Sequence, residues 1–416
     1  MWFPSPKIIS RAYYGALAAA SAGIHFSPAL SSIGLIVMIL IGIGVLFREA
    51  SERRLRNLQL AFIGLMGAML VTDMFNGNSL QNSFAAIQVM IPWFFLPVIW
   101  VVPKIYPVNP INILNALAFP LWWIAGASIL NYVSDFDFLS QMVLESKPLP
   151  LYTDVYHIEY SLLITMVLLG MTFTFSEVLS KRAGVVFYAI YLLLFLALHM
   201  VSARTGLLSY WLGMGIWIFY QFRSKSIIRR IKPIYGIGIL TVVLISLVQI
   251  PSLKNRIVNT TEDLRILMDG GDVNHRSIGQ RVEAWKATVG MIAQPGNLIT
   301  GVGSSQFESA LFDSYERQNS QLFLSNRIGP HNQTLQWMAT YGLPLSVVWY
   351  LLLIGLLGSQ LGLWAALMVG VPIWAASMFE SIAQRQAGTL SVILVCVVFQ
   401  TIVQYRDNNK KISVIN

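Results

Sequence analysis

Three basic side chains stand in polar stretches beside apolar runs: Arg204 in "HMVSARTGLLSYWLG", Arg281 in "SIGQRVEAW" and His331 in "RIGPHNQTLQW". A guanidinium presents five N–H donors in a planar fork that suits phosphate. At an apolar boundary such a cation is costly unless it snorkels to water or meets an anion. An imidazole is the side chain best able to take up a proton near neutral pH. Together these groups permit stabilisation of a phosphorylated moiety and deprotonation of a hydroxyl. Singly, each has an ordinary reading: Arg204 as an interface anchor, Arg281 as a solvated residue on the polar side of a helix, His331 as a loop histidine. Asn332 either orients a substrate or caps the helix that follows, and the cap is the simpler role.

Other candidates carry less. Asp135 and Asp137 in "SDFDF" have a D-x-D spacing that can hold a divalent metal with a diphosphate, yet two aspartates at a loop start are commonplace. The turn "GVGSSQF" could cradle phosphate with backbone N–H groups, though a lone GxG more often marks a turn. His157 and Glu159, in "VYHIEY", lie at a span edge, where they join a site or mark the interface. The single cysteine, Cys396, excludes a disulfide framework and a cysteine metal site within one chain.

The elements that position these residues follow from composition. The 416-residue chain is 56% hydrophobic and 11% charged with mean hydropathy +0.63, which indicates an all-α polytopic membrane protein. With about 20 apolar residues per crossing, twelve spans are expected. They lie near 8–26, 29–47, 57–75, 84–102, 113–132, 158–176, 184–201, 206–222, 234–250, 343–358, 362–379 and 388–404. Only "SARTG" parts the seventh from the eighth. "AAASAG" faintly resembles a signal-peptidase site, but the first span is read as uncleaved.

An even count puts both termini on one side. Loops on that side hold 17 of the 28 Lys and Arg residues; of the 11 opposite, eight fall in one long loop exempt from the counting rule. The termini are therefore expected in the cytoplasm, with His331 facing outward. The net charge of +9 then lies mostly against anionic lipid, with no support for nucleic-acid binding.

Three segments result: 1–250 with spans one to nine, a large loop at 251–341, and 342–416 with spans ten to twelve and a cytoplasmic tail. The loop carries eight basic and eight acidic residues, so it is no generic basic patch. Within 277–293, apolar residues at 278, 282, 285, 289 and 292 predict an amphipathic helix, followed by helices over 305–318 and 331–341, the last closed by Gly342 and Pro344.

Taken in order, "SARTG" after an apolar run, "QRVEAW", "ITGVGSSQF" and "HNQTLQWMATYG" before the next run resemble the O-antigen ligase and polymerase superfamily. The resemblance covers nearly the whole chain. It implies a GT-C-like membrane glycosyltransferase with a large, partly helical periplasmic loop, in the bacterial inner membrane. The donor would be polysaccharide on undecaprenyl pyrophosphate and the acceptor a sugar hydroxyl of lipid A-core, joined by inverting transfer with no metal and no cofactor. Carried over by motif, Arg204 and Arg281 would hold the pyrophosphate and His331 would activate the acceptor, with Trp285, Asn332 and Arg327 as further substrate contacts. A polymerase of the same superfamily is the alternative. A transporter is disfavoured because ionisable groups such as Asp73, Glu159 and Glu177 lie near span ends rather than mid-membrane.

Overall fold

The computed structural model describes residues 4–144, 147, 149–177, 184–201, 203–223 and 251–415. The described residues are helical with no strand. A continuous run of about 20 apolar residues satisfies its own backbone in hydrocarbon by forming a helix, whose hydrogen bonds all lie within the segment. In chain order the helices are α1 (Pro6–Phe26), α2 (Pro28–Arg48), α3 (Arg53–Phe75), α4 (Leu80–Ile87), α5 (Ile91–Phe94), α6 (Leu96–Ile105), α7 (Pro110–Ser134), α8 (Phe136–Leu144), α9 (His157–Glu177), α10 (Gly184–Val201) and α11 (Arg204–Arg223). After residue 250 come α12 (Pro251–Met268), α13 (Ser277–Ile292), α14 (Asn297–Thr300), α15 (Phe307–Arg317), α16 (Gln333–Tyr341), α17 (Leu343–Leu361), α18 (Leu363–Phe379) and α19 (Gln386–Ile415).

Seven stretches are long and apolar enough to cross a membrane, and α18 with Val185–Val201 of α10 are shorter apolar helices. Helices α1 and α11 occupy the first and eighth expected spans without belonging to those seven. The ninth expected span, 234–250, lies outside the described residues. The fourth is not one rod: Leu80–Ile105 is broken into α4, a 3-10 turn at Gln88–Met90, α5 and α6. Pro92 and Pro97 near the starts of α5 and α6 explain the breaks, because proline lacks the N–H that would continue the preceding helix.

Helices α9 and α19 form the centre, with 89% of each crossing window buried. The segment after α12 builds a second, smaller core from Ala284, Ala287, Met291, Phe307, Leu311 and Tyr315, among others. Three predicted loop helices are present as α13, α15 and α16, whereas α12 was not anticipated.

The face of α13 differs from the expected one. Its buried residues are Gly279, Ala284, Ala287, Thr288, Met291 and Ile292, while Val289 is exposed. Small residues pack against α15 and leave Arg281 and Trp285 toward the membrane bundle. Arg281 is consequently not solvated: its side chain is only 17% exposed.

The glycine-rich turn is an anchor. Val302 N–H donates to Ala339 O (2.8 Å) and Gly303 N–H to Thr340 O (3.1 Å), tying it to α16. On its other side the buried Asp73 carboxylate at the end of α3 accepts from Ser304 N–H (2.5 Å) and Ser304 Oγ–H (2.8 Å). Gly303 has φ +82° and its Cα approaches Asn76 so closely that a Cβ would collide, a conformation and clearance suited to glycine. The N–H groups that might have cradled phosphate are thus occupied, one of them by a carboxylate that would repel an anion.

Candidate functional site

Glu380 is the meeting point. It follows α18, is 6% exposed, and its carboxylate takes Arg281 Nη2 at 2.7 Å and His331 Nδ1 at 3.2 Å. A buried carboxylate is expensive unless paired and hydrogen-bonded. Arg281, one turn into α13, and His331, just before α16, meet that need from two separate elements.

His331 is held by more than this contact. Trp285 Nε1–H donates to Pro330 O (2.7 Å), and the Trp285 ring lies 6.1 Å from Phe379, centroid to centroid. On the other side Asn332 is the N-cap of α16, its Oδ1 accepting from Leu335 N–H at 3.0 Å. Between these restraints His331 takes φ +43°. A non-glycine residue there stores strain of order 1–3 kcal/mol, which persists only where surroundings impose it. With Nδ1–H donated to Glu380, a neutral imidazole presents Nε2 as its free acceptor.

Arg204 opens α11, with Nη2 3.6 Å from Asp263 Oδ2 of α12. Asp263, 4% exposed, also lies 3.8 Å from Arg276 and accepts from Ile278 N–H at 3.4 Å. Through Asp263, Arg204 is linked to the start of α13, the helix that carries Arg281. Arg327 is differently engaged: it pairs with Glu316 (3.4 Å) and lies over the Tyr315 ring, joining the smaller core rather than Glu380.

Glu159 joins the same corner. It is buried in the first turn of α9, 3.6 Å from Arg385 Nη1, and close enough to Glu380 for the two carboxylates to repel. The Arg385 guanidinium also covers the Tyr156 ring at 4.9 Å. Asp135 and Asp137 are exposed, and among the described residues no three His, Cys, Asp or Glu groups are placed to hold a metal.

Of the residues singled out in the sequence, Arg281 and His331 meet on one carboxylate and Trp285 and Asn332 flank His331, whereas Glu380, Asp263 and Arg385 were not singled out. Glu380 ends an apolar run in "SMFESIAQ", where one acid reads as an interface residue. Its only signal was being one of few carboxylates facing the same side as His331.

The arrangement can do two things. Its arginines can hold an anion beside the membrane, and an oriented imidazole can take a proton from a hydroxyl. The model of the family described as O-Antigen ligase (Wzy_C) matches residues 187–350. That interval contains Arg204, Arg281, Trp285, Arg327, His331 and Asn332 and stops short of Glu380. No curated protein matches the chain.

Proposed function

We propose that this chain, whose residues 187–350 match the model of the O-antigen ligase family, is a membrane glycosyltransferase of that kind, an O-antigen ligase acting at the outer face of the bacterial inner membrane. On this reading it has about twelve spans of GT-C-like arrangement, with both termini cytoplasmic and 251–341 as a periplasmic loop. It transfers polysaccharide from undecaprenyl pyrophosphate to a sugar hydroxyl of lipid A-core. The observation that carries the reading is the Glu380 carboxylate that holds Arg281 and His331 together.

The steps follow from those groups. The acceptor hydroxyl gives its proton to His331 Nε2 as its oxygen bonds to the anomeric carbon. The bond from that carbon to the pyrophosphate oxygen breaks with inversion, and the electron pair leaves with the pyrophosphate. Charge growing on that leaving group is what preorganised donors must stabilise. Arg281 spends one N–H on Glu380 in this structure and keeps the rest of its fork for the ligand, with Arg204 as the second cation of the proposed pyrophosphate site. Glu380 acts through its neighbours: it fixes the imidazole tautomer and aims the guanidinium, as orienting carboxylates do beside catalytic histidines. The pyrophosphate linkage supplies the driving force, so no nucleotide is consumed.

Purified protein supplied with lipid-linked polysaccharide and core lipid should form the joined product. Product formed at the wild-type rate by His331→Ala would remove the histidine from the mechanism. A polymerase would instead extend the carrier-linked chain and leave the core lipid unmodified in the same tube. The small size of the outward segment 133–157 favours the ligase, because two sizeable outward loops are expected of the polymerases.

A further inference from the structure

With the buried side of α12 known, its outer side shows two parallel lines of residues. Ile257, Leu264 and Met268, spaced seven and four apart, fall on one stripe of the helix surface. Met268 is 85% exposed and the other two are nearly half exposed. Lys254, Arg265 and Asp269, spaced eleven and four apart, run beside that stripe and are exposed as well, with Arg265 Nε 3.7 Å from Asp269 Oδ2. Asp263 lies on the opposite side of the helix and is buried. Scattered apolar residues are ordinary on a protein surface, but a line of long ones beside a charged line marks a surface with a partner.

The ends of the spans set the height of α12. Its Asp263 lies 3.6 Å from Arg204, the first residue of α11. The helix also packs against α8 and α10, and α8 starts one residue past the end of α7, a crossing stretch. In the sequence the apolar run 234–250 leads directly into it. A helix held between these points lies at the boundary of the hydrocarbon, and α8 exposes Phe136 and Phe138 beside it. A helix of low overall hydrophobicity with one apolar and one charged line suits the plane of a bilayer surface, where long cationic side chains reach water and the apolar line reaches the acyl chains.

We propose that α12 is an interfacial helix whose partner is the lipid surface. The stripe of Ile257, Leu264 and Met268 lies at the acyl boundary of the leaflet at the Arg204 end of the spans, and Lys254, Arg265 and Asp269 face headgroups and water. A protein partner at that height would have to displace lipid that the stripe already fits. Because Asp263 projects from the opposite side of the same helix, lipid contact also fixes the level at which α12 meets the Arg204 guanidinium.

The test uses the full chain in vesicles of phosphatidylethanolamine and phosphatidylglycerol, with one nitroxide at a time on Ile257→Cys, Leu264→Cys, Met268→Cys or, on the polar edge, Asp269→Cys. Cys396 is buried, so the introduced thiol takes the label, and unsubstituted protein gives the background. All of these positions are exposed, so none of the changes opens a gap in the core. Dissolved oxygen, which concentrates in hydrocarbon, and a water-soluble nickel complex then report the surroundings of each label. The stripe labels are expected to read about 5–10 Å into the boundary between headgroups and acyl chains, and the Asp269→Cys label to favour the nickel complex.

Leu264→Glu combined with Met268→Glu should move the Ile257→Cys label toward water, since it removes the apolar surface that seats the helix. Equal access of the nickel complex to the stripe and to Asp269→Cys would show a surface left in water and overturn the proposal. A stripe label that is immobile and closed to both reagents would overturn it too, by revealing a protein partner or a second copy of the chain over the stripe. Depth unchanged in the Leu264→Glu, Met268→Glu chain would contradict it equally, because the apolar stripe would then not be what holds α12 at the bilayer.

Discussion

The proposed chemistry depends on three side chains drawn from distant parts of the chain. Replacing the base, His331→Ala, should lower transfer by about 10²–10⁴-fold with normal abundance in the membrane, measured as product formed per milligram of purified protein. Glu380→Gln should lower kcat while leaving the apparent KM for acceptor nearly unchanged, because it removes orientation rather than a substrate contact. A purely structural Glu380 would instead lower the amount of folded protein. Arg281→Lys should lose more than its retained charge suggests, since a lysine cannot hold Glu380 and a phosphate oxygen with one planar fork. The histidine and the arginine were legible because their residue types stand out beside apolar runs. Glu380 was not: it lies 99 positions from Arg281 and 49 from His331, and a single acid after a span gives no local sign of its partners. The αL backbone of His331 was equally hidden, since nothing in "GPHN" marks φ as positive.

Among the elements, those with strong local rules were read correctly. Asn332 as a cap and Gly342 as a stop gave α16 its limits, and the structure has Asn332 Oδ1 on Leu335 N–H and Gly342 at φ +84°. The inward face of α13 was misread because alanine, glycine and threonine make its core contacts, and a periodicity weighted by large apolar residues overlooks small ones. Helix α12 was missed for a related reason: "PSLKNRIVNTTEDLRILM" carries too many polar residues to show a clean stripe. Asp73 was seen only as an acid at a span end, yet it holds the 301–306 turn to α3. Asp73→Ala should leave Ser304 N–H unpartnered and cost about 1–3 kcal/mol, read as a lower Tm in detergent. In the turn before α13, hydrogen bonds from Asn274 N–H and then Nδ2–H hold the Asp272 carboxyl below the usual carboxylate range. A depressed folded value means this stabilisation is present above the unfolded carboxyl pKa of about 3.9 and is lost as pH falls through the folded one. Asp272→Asn should therefore reduce the acid-side loss of stability, measured as the difference in Tm between neutral pH and pH of about 3.

At the scale of the whole molecule, composition and the distribution of basic residues carried most of the information. They indicated a helical membrane protein, which the seven long apolar helices bear out, while the outward orientation of 251–341 stays a proposal and the crossing count depends partly on 234–250. Orientation is testable with little background, because Cys396 is the only cysteine and is buried. A membrane-impermeant thiol reagent should label Ser305→Cys in intact cells whose outer membrane admits it, and Asp407→Cys only after the inner membrane is opened. Chelation with EDTA should leave purified activity unchanged; loss of activity would return attention to Asp135 and Asp137. The central claim is that the chain joins finished polysaccharide to core lipid with His331 as base, and the carrier lipid of a deletion strain reports on it most directly. The account predicts long polymer accumulating on undecaprenyl pyrophosphate with core lipid unmodified, reversed by the wild-type gene and not by His331→Ala. Accumulation of a single repeat unit on the carrier would contradict it.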